Sequence, residues 1–159
     1  MRHFSFGLWL IAGLAGAGVF WVFQLLTGPS TMVLTMGHRI VTQGGYSQSL
    51  VLPIGWAVHV GVSLAYSLAF AVLVVLPFML ADYARLVLGL IVAGALGWGA
   101  TLISTPAETA AVSILTGHGY PAVLPPLNRT FSLPLSNHLL FFLTVWLVYQ
   151  YIPYVSRKH

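Results

Sequence analysis

The side chains best suited to chemistry are the histidines and the carboxylates, because the chain has six histidines, two acidic residues and no cysteine. Imidazole nitrogens and carboxylates bind copper, zinc and iron, and two imidazoles can hold a haem axially. The candidates for binding a cofactor are His59 and His138, and those for a metal ion are His38, His118 and Glu108. Their spacing forms no diagnostic motif, since neither H-E-x-x-H nor Glu-x-x-His occurs. The alternative interpretation is that the loop histidines are simply solvated.

Composition excludes several other chemistries. Without cysteine there is no thiolate nucleophile, zinc ribbon or cysteine-ligated iron–sulfur cluster. Lys158 is the only lysine, and no glycine-rich phosphate loop precedes it. The basic residues are scattered, which is not the pattern of a nucleic-acid-binding protein. With one Asp and one Glu for acid–base work, the sequence predicts a chain with no catalytic activity of its own.

The positions of the charged residues predict the helices that must hold these candidate side chains in place. Only 5% of the residues are charged, whereas a soluble domain carries about 25%. The charges leave four apolar stretches, each close to the roughly 20 residues with which a helix crosses the hydrocarbon core. The predicted spans are residues 4–26, 53–80, 84–104 and 137–154. We therefore predict an all-α integral membrane protein, a four-helix transmembrane bundle that forms a single domain over residues 1–159.

The two long outer connections are predicted to carry short interfacial helices. In the first connection, four apolar residues have the spacing of an amphipathic helix at the membrane interface. These residues are Met32, Val33, Met36 and Ile40. The second connection opens with Thr105-Pro106-Ala107-Glu108, which has the order of a capping box with proline at the first helical position. This pattern predicts a separate helix over residues 106–116, followed by an irregular loop over residues 117–134.

The predicted topology places most of the candidate ligands at one membrane face. His38, His118 and Glu108 fall in the outer connections, and His138 opens the fourth span. His59 lies inside the second span, roughly 9 Å below its outer end at about 1.5 Å per residue. On the same helical face lies a polar and aromatic stripe that should face protein, made of Trp56, Ser63, Tyr66 and Ser67. His59 therefore either contacts a ligand or makes an interhelical hydrogen bond.

The basic residues predict the orientation of the chain. An even number of spans places both termini on one side of the membrane. That side holds Arg2, Arg85, Arg157 and Lys158, and the other side holds Arg39 and Arg129. Because cytoplasmic loops carry the excess of Lys and Arg, we predict cytoplasmic termini in a bacterial inner membrane.

Small residues recur at every fourth position in two of the spans. Gly89, Ala93 and Gly97 form a small face on the third span, and Gly13 and Ala17 form one on the first. Such faces let helix backbones approach each other closely. Two of them exceed what one contact inside a four-helix bundle requires, so we predict that one packs against a partner subunit.

These features favour a non-catalytic accessory subunit of a larger membrane complex, such as an electron-transfer or oxidase assembly. Its partners would be other integral membrane subunits and lipid. The basis is the scarcity of ionisable groups, the small packing faces and the apolar outer loops. Two alternatives stay open. One is a membrane-embedded protein that binds haem, a quinone or a transition metal through His59 and His138; the other is a small homo-oligomeric channel or transporter.

Overall fold

The computed structural model describes residues 6–74, 82–129 and 133–155, without the side chains of residues 82–85 and 152–155. Over this part of the chain the fold is entirely helical, with five α-helices and no strand. The helices are α1 (Phe6–Thr27), α2 (Met32–Gly44), α3 (Val51–Val74), α4 (Asp82–Leu115) and α5 (Leu133–Val155), and a 3₁₀ turn (Gln48–Leu50) leads into α3. The prediction of an all-α chain is confirmed.

Within the described residues, three segments are long and apolar enough to cross a membrane: Phe6–Thr27, Gln48–Val74 and Leu86–Leu115. Their outward faces carry large apolar side chains such as Ile91, which is 62% exposed and would contact lipid. The chain therefore has the build of an integral membrane protein. The predicted end of the second span, residues 75–80, lies outside the described residues, as do Arg2, Arg157 and Lys158.

The long helices share one aromatic core. α1 packs against α3 and α5, and α4 packs against α5. Phe70 of α3 and Phe141 and Phe142 of α5 are almost completely buried there. The rings of Phe141 and Phe142 meet edge to face with their centroids 5.1 Å apart, a favoured geometry for aromatic pairs. Lipid tails are as apolar as these side chains, so the core stabilises the bundle mainly through van der Waals contacts.

The small face of α4 is occupied by α5. A Cβ atom added at Gly89 would meet the ring of Trp146, and one added at Gly97 would meet Leu139. Ala93, between the two glycines, is buried. Because the N-terminal glycine of this face lies against the C-terminal half of α5, and the later glycine against its start, the two helices run antiparallel.

The small face of α1 is likewise occupied, in this case by α3. A Cβ atom added at Gly13 would meet Leu64 of α3, and Ala17 is buried. Trp9, one turn earlier, donates its indole N–H to the carbonyl of Leu64 at 2.9 Å. The chain's own helices therefore cover the surfaces from which a partner subunit was predicted.

The prediction of a separate helix after the capping box is wrong, because α4 continues through Pro106 without a break. A proline inside a helix cannot donate to the carbonyl four residues earlier, which here belongs to Leu102. The backbone N–H of Asn128, in the loop that follows α4, donates to that carbonyl at 2.8 Å instead. A long-range hydrogen bond thus replaces the one that Pro106 removes, and the helix need not end there.

α2 is the amphipathic helix that the first connection predicted, and its apolar side faces protein. Val33, Met36 and Ile40 are buried, and Met32 is partly buried. Met36 and Ile40 form a small second core with Val112, in the C-terminal part of α4. α2 therefore lies across α3 and α4 at one end of the bundle, so these residues pack against protein.

α2 crosses α3 at a pair of glycines that sequence analysis did not identify. A Cβ atom added at Gly37 would collide with the carbonyl of Val51, and one added at Gly55 would collide with the carbonyl of Val33. The two backbones therefore touch, in a reciprocal contact that tolerates no side chain. The two glycines lie on different helices, so no spacing within one helix could reveal the pair.

Candidate functional site

A cavity of about 300 Å³ lies at the end of the bundle where the C-terminal part of α1 meets the N-terminal parts of α3 and α5. Its wall includes the aromatic residues Phe20, Tyr66 and Phe141. Among the polar residues that line it are His59, Glu108, Asn137 and His138. Apolar walls with a few convergent polar groups are the usual build of a small-molecule site. The structure therefore brings three of the predicted site residues, His59, His138 and Glu108, to one cavity.

His59 is buried and connects α3 to α1. Its Nε2 atom lies 3.0 Å from the carbonyl oxygen of Ala17. A carbonyl oxygen only accepts, so in the neutral ring Nε2 carries the proton and Nδ1 is an acceptor. The imidazole also contacts the rings of Phe20 and Trp56, with centroid distances of 5.5 and 5.7 Å. His59 thus makes an interhelical hydrogen bond and lines the cavity at the same time.

The polar stripe below His59 also faces protein. Ser63 and Ser67 are buried, and the hydroxyl of Ser67 donates to the carbonyl of Trp9 at 3.1 Å. Trp56 differs, because it is 36% exposed and packs on Trp21 of α1 at the surface of the bundle. The stripe therefore fixes the rotation of α3 about its axis, which turns His59 towards α1.

His138 lies in the second turn of α5 and is held by two oxygen atoms. Its Nδ1 atom is 2.9 Å from the carbonyl oxygen of Pro134 and 3.2 Å from the hydroxyl of Thr101. The hydroxyl of Thr101 donates its proton to the carbonyl of Gly97 at 2.8 Å, so towards His138 it can only accept. Nδ1 therefore carries the proton in the neutral ring, and Nε2 is the remaining acceptor. The ring of Phe20 packs against this imidazole too, at 5.6 Å.

Asn137 is one of the polar residues of the cavity that sequence analysis missed as a site; others are Gln24, Ser104, Thr105 and Asn128. Its side chain is 6% exposed, and its Oδ1 atom has no hydrogen-bond partner in the described part of the chain. Leaving a buried acceptor unpaired costs about 1–3 kcal/mol. From the sequence, Asn137 was only a neighbour of His138 near the start of a helix, since an asparagine there usually serves as a cap.

Glu108 connects α4 to α2 at the edge of the cavity. Arg39 of α2 donates from Nη1 to Glu108 Oε2 at 3.2 Å, and both side chains are partly buried. The capping role predicted for Glu108 is not what the structure shows, because α4 does not begin at this point. The carboxylate instead has its charge balanced by the guanidinium group of another helix.

The two remaining predicted ligands lie away from the cavity. His38 is exposed on α2, and His118 is exposed in the loop after α4, where its Nδ1 atom lies 2.8 Å from the hydroxyl of Thr116. Within the described ranges, no group of three or more His, Cys, Asp or Glu side chains is arranged to hold a metal ion. The predicted ligand set therefore divides into three residues at the cavity and two at the surface.

Comparisons with protein-family models, with curated proteins and with solved structures found no match for the chain. The class of the protein is therefore defined by its own fold and cavity. Over the part of the chain that the structure describes, it is a helical protein with three segments long and apolar enough to cross a membrane, and it holds a cavity lined by rings and polar side chains at one end of its helices.

Proposed function

We propose that the chain is a membrane-embedded binding protein that holds a small aromatic molecule of the quinone type. The observation that carries the proposal is the aromatic cavity of about 300 Å³ lined by His59, His138 and the buried Asn137. Imidazole and amide groups on an apolar wall fix the orientation of a ring-bearing ligand, while the rings supply most of its contact area.

The size of the cavity favours a ligand with one or two rings. Its volume of about 300 Å³ is at the lower end of the roughly 300–1,000 Å³ that is usual for small-molecule sites. That space suits a quinone head group better than a haem macrocycle. Since no three metal-ligating side chains converge in the described residues, an organic ligand also suits the donor set better than a single metal ion.

We further propose that α5 is a fourth membrane-crossing helix, which gives the four-helix transmembrane bundle predicted from the sequence. α5 contains no charged residue, has 23 residues and lies alongside α1 and α4. The balance of basic residues then supports cytoplasmic termini in a bacterial inner membrane and places the cavity at the opposite face. A ligand that partitions into lipid would reach the cavity from the membrane.

The accessory-subunit hypothesis loses one of its supports. Its strongest structural argument was a spare small-residue face, and both faces are covered by the chain's own helices. The outward apolar surface that remains would be covered by lipid in the same way as by a partner. A quinone-type ligand would still be compatible with a role beside electron-transfer proteins.

The proposal is tested by binding of duroquinone and duroquinol to the purified chain in lipid nanodiscs, after subtraction of binding to empty nanodiscs. We expect saturable binding of at least one of the two compounds, and His59→Leu and His138→Leu should each weaken binding of the tighter one by at least about tenfold. His38→Leu is the matched control, because it removes an exposed imidazole outside the cavity. Melting temperatures of all variants separate loss of the site from loss of the fold. Absence of saturable binding by both compounds, or equal loss in the His38 variant, would overturn the proposal.

A further inference from the structure

We infer that the cavity selects a ligand whose head group donates hydrogen bonds, so that it binds a hydroquinone or another neutral phenol in preference to a quinone. This inference rests on the proposed function, because it names the chemical form of the ligand in the same cavity. It follows from the hydrogen-bonding state of the two imidazoles on the wall, those of His59 and His138, and from the charge balance at Glu108.

Both imidazoles have their proton directed at protein oxygen atoms. His59 uses Nε2 on the carbonyl of Ala17, and His138 uses Nδ1 on the carbonyl of Pro134. The other ring nitrogen of each has no hydrogen-bond partner among the described residues. Each neutral ring therefore offers the cavity a lone pair and no N–H group. A carbonyl-bearing quinone gains no hydrogen bond from either ring, whereas a hydroxyl group of the ligand can donate to either one.

The charge of the site favours a neutral donor over an organic cation. Among the described residues Glu108 is the only carboxylate at the cavity wall, and it is already paired with Arg39. A cationic ligand would find no uncompensated negative charge there, and moving a cation into an apolar cavity is costly. The hydroxyl groups of Tyr66 and Ser63 donate or accept by rotation, so they tolerate either form of the ligand. Gln24, whose Oε1 atom accepts from the backbone N–H of Met32 at 2.7 Å, adds one amide donor against the two imidazole acceptors.

The test compares three compounds with the same ring and methyl groups, under anaerobic conditions and with the wild-type chain in nanodiscs. Duroquinol carries two hydroxyl donors, duroquinone carries two carbonyl acceptors, and the dimethyl ether of duroquinol carries neither a donor nor a carbonyl. We expect duroquinol to bind at least about tenfold more tightly than the other two.

The outcomes separate the two proposals. If all three compounds bind equally, or duroquinone binds most tightly, a ring-binding cavity remains and the selection of donors is overturned. If none binds saturably, the proposed function itself fails. The variant His138→Leu provides a second measurement, and it should weaken the binding of duroquinol by about tenfold while changing that of duroquinone by less than about threefold. An equal loss for both compounds would show that His138 only shapes the cavity and would overturn the inference.

Discussion

The two ends of the same helices are packed in opposite ways. At one end, Phe70, Phe142 and Val145 fill the space between the helices and leave no exposed surface. At the other end, the helices enclose a cavity lined by polar groups. Close packing of rings stabilises the filled end, whereas the cavity end leaves space that a ligand can occupy. Stability and ligand binding therefore depend on different parts of the same helices.

The largest expected loss of stability comes from a large-to-small substitution at the filled end. Phe142→Ala should destabilise the chain by about 3–5 kcal/mol, because the removed ring is completely enclosed. Phe20→Ala at the cavity wall removes the same group from a site that is already partly empty, so we expect no more than about half that loss. Unfolding in mixed micelles with increasing denaturing detergent measures both. Equal losses would contradict the division between the two ends.

A single methyl group added at the α2–α3 crossing should lower stability almost as strongly. Gly55→Ala places a Cβ atom against the carbonyl of Val33, so α2 must move, at an expected cost of about 1–3 kcal/mol. Gly61→Ala is the matched control on the same helix, because nothing lies within 4 Å of the added atom. There the higher helix propensity of alanine should leave stability unchanged or slightly raised. A similar loss in both variants would mean that the crossing is looser than described.

The ion pair between Arg39 and Glu108 should contribute less to the stability of the chain. Both side chains are partly exposed, so we expect Arg39→Ala to lower stability by no more than about 1 kcal/mol. The more informative effect is on the cavity, since α2 loses one of its links to α4 and ligand dissociation should accelerate. A double-mutant cycle with Glu108→Gln isolates the pair. Additive effects of the two substitutions would show that the charges do not interact.

The smallest expected effect is that of Pro106→Ala. Alanine restores an N–H group that can donate to the carbonyl of Leu102, in competition with Asn128. Global stability should change little, but the amide of Asn128 should exchange with solvent more rapidly. Hydrogen–deuterium exchange of the loop peptide measures this effect. Unchanged protection at Asn128 would show that the loop is held by other contacts.

Sequence analysis succeeded where a property belongs to one helix and failed where it belongs to two. It predicted helical segments of membrane length and the amphipathic α2, because hydropathy and periodicity are local. It predicted a break before Pro106 that α4 does not contain, since the partner that compensates Pro106 lies in a loop more than twenty residues later. It missed Gly37 and Gly55 for a related reason, because each glycine matters only through a carbonyl on the other helix.

The sequence by itself determined that the chain is helical, has the build of a membrane protein and has few ionisable groups, because these properties are sums over residues. Only the tertiary structure decided which candidate residues share a site. The rotation of α3 and α5 about their axes directed His59 and His138 to one cavity, while His38 and His118 stayed at the surface. Such rotations are set by contacts between helices, such as the hydrogen bond of His59 to Ala17, and no single segment encodes them.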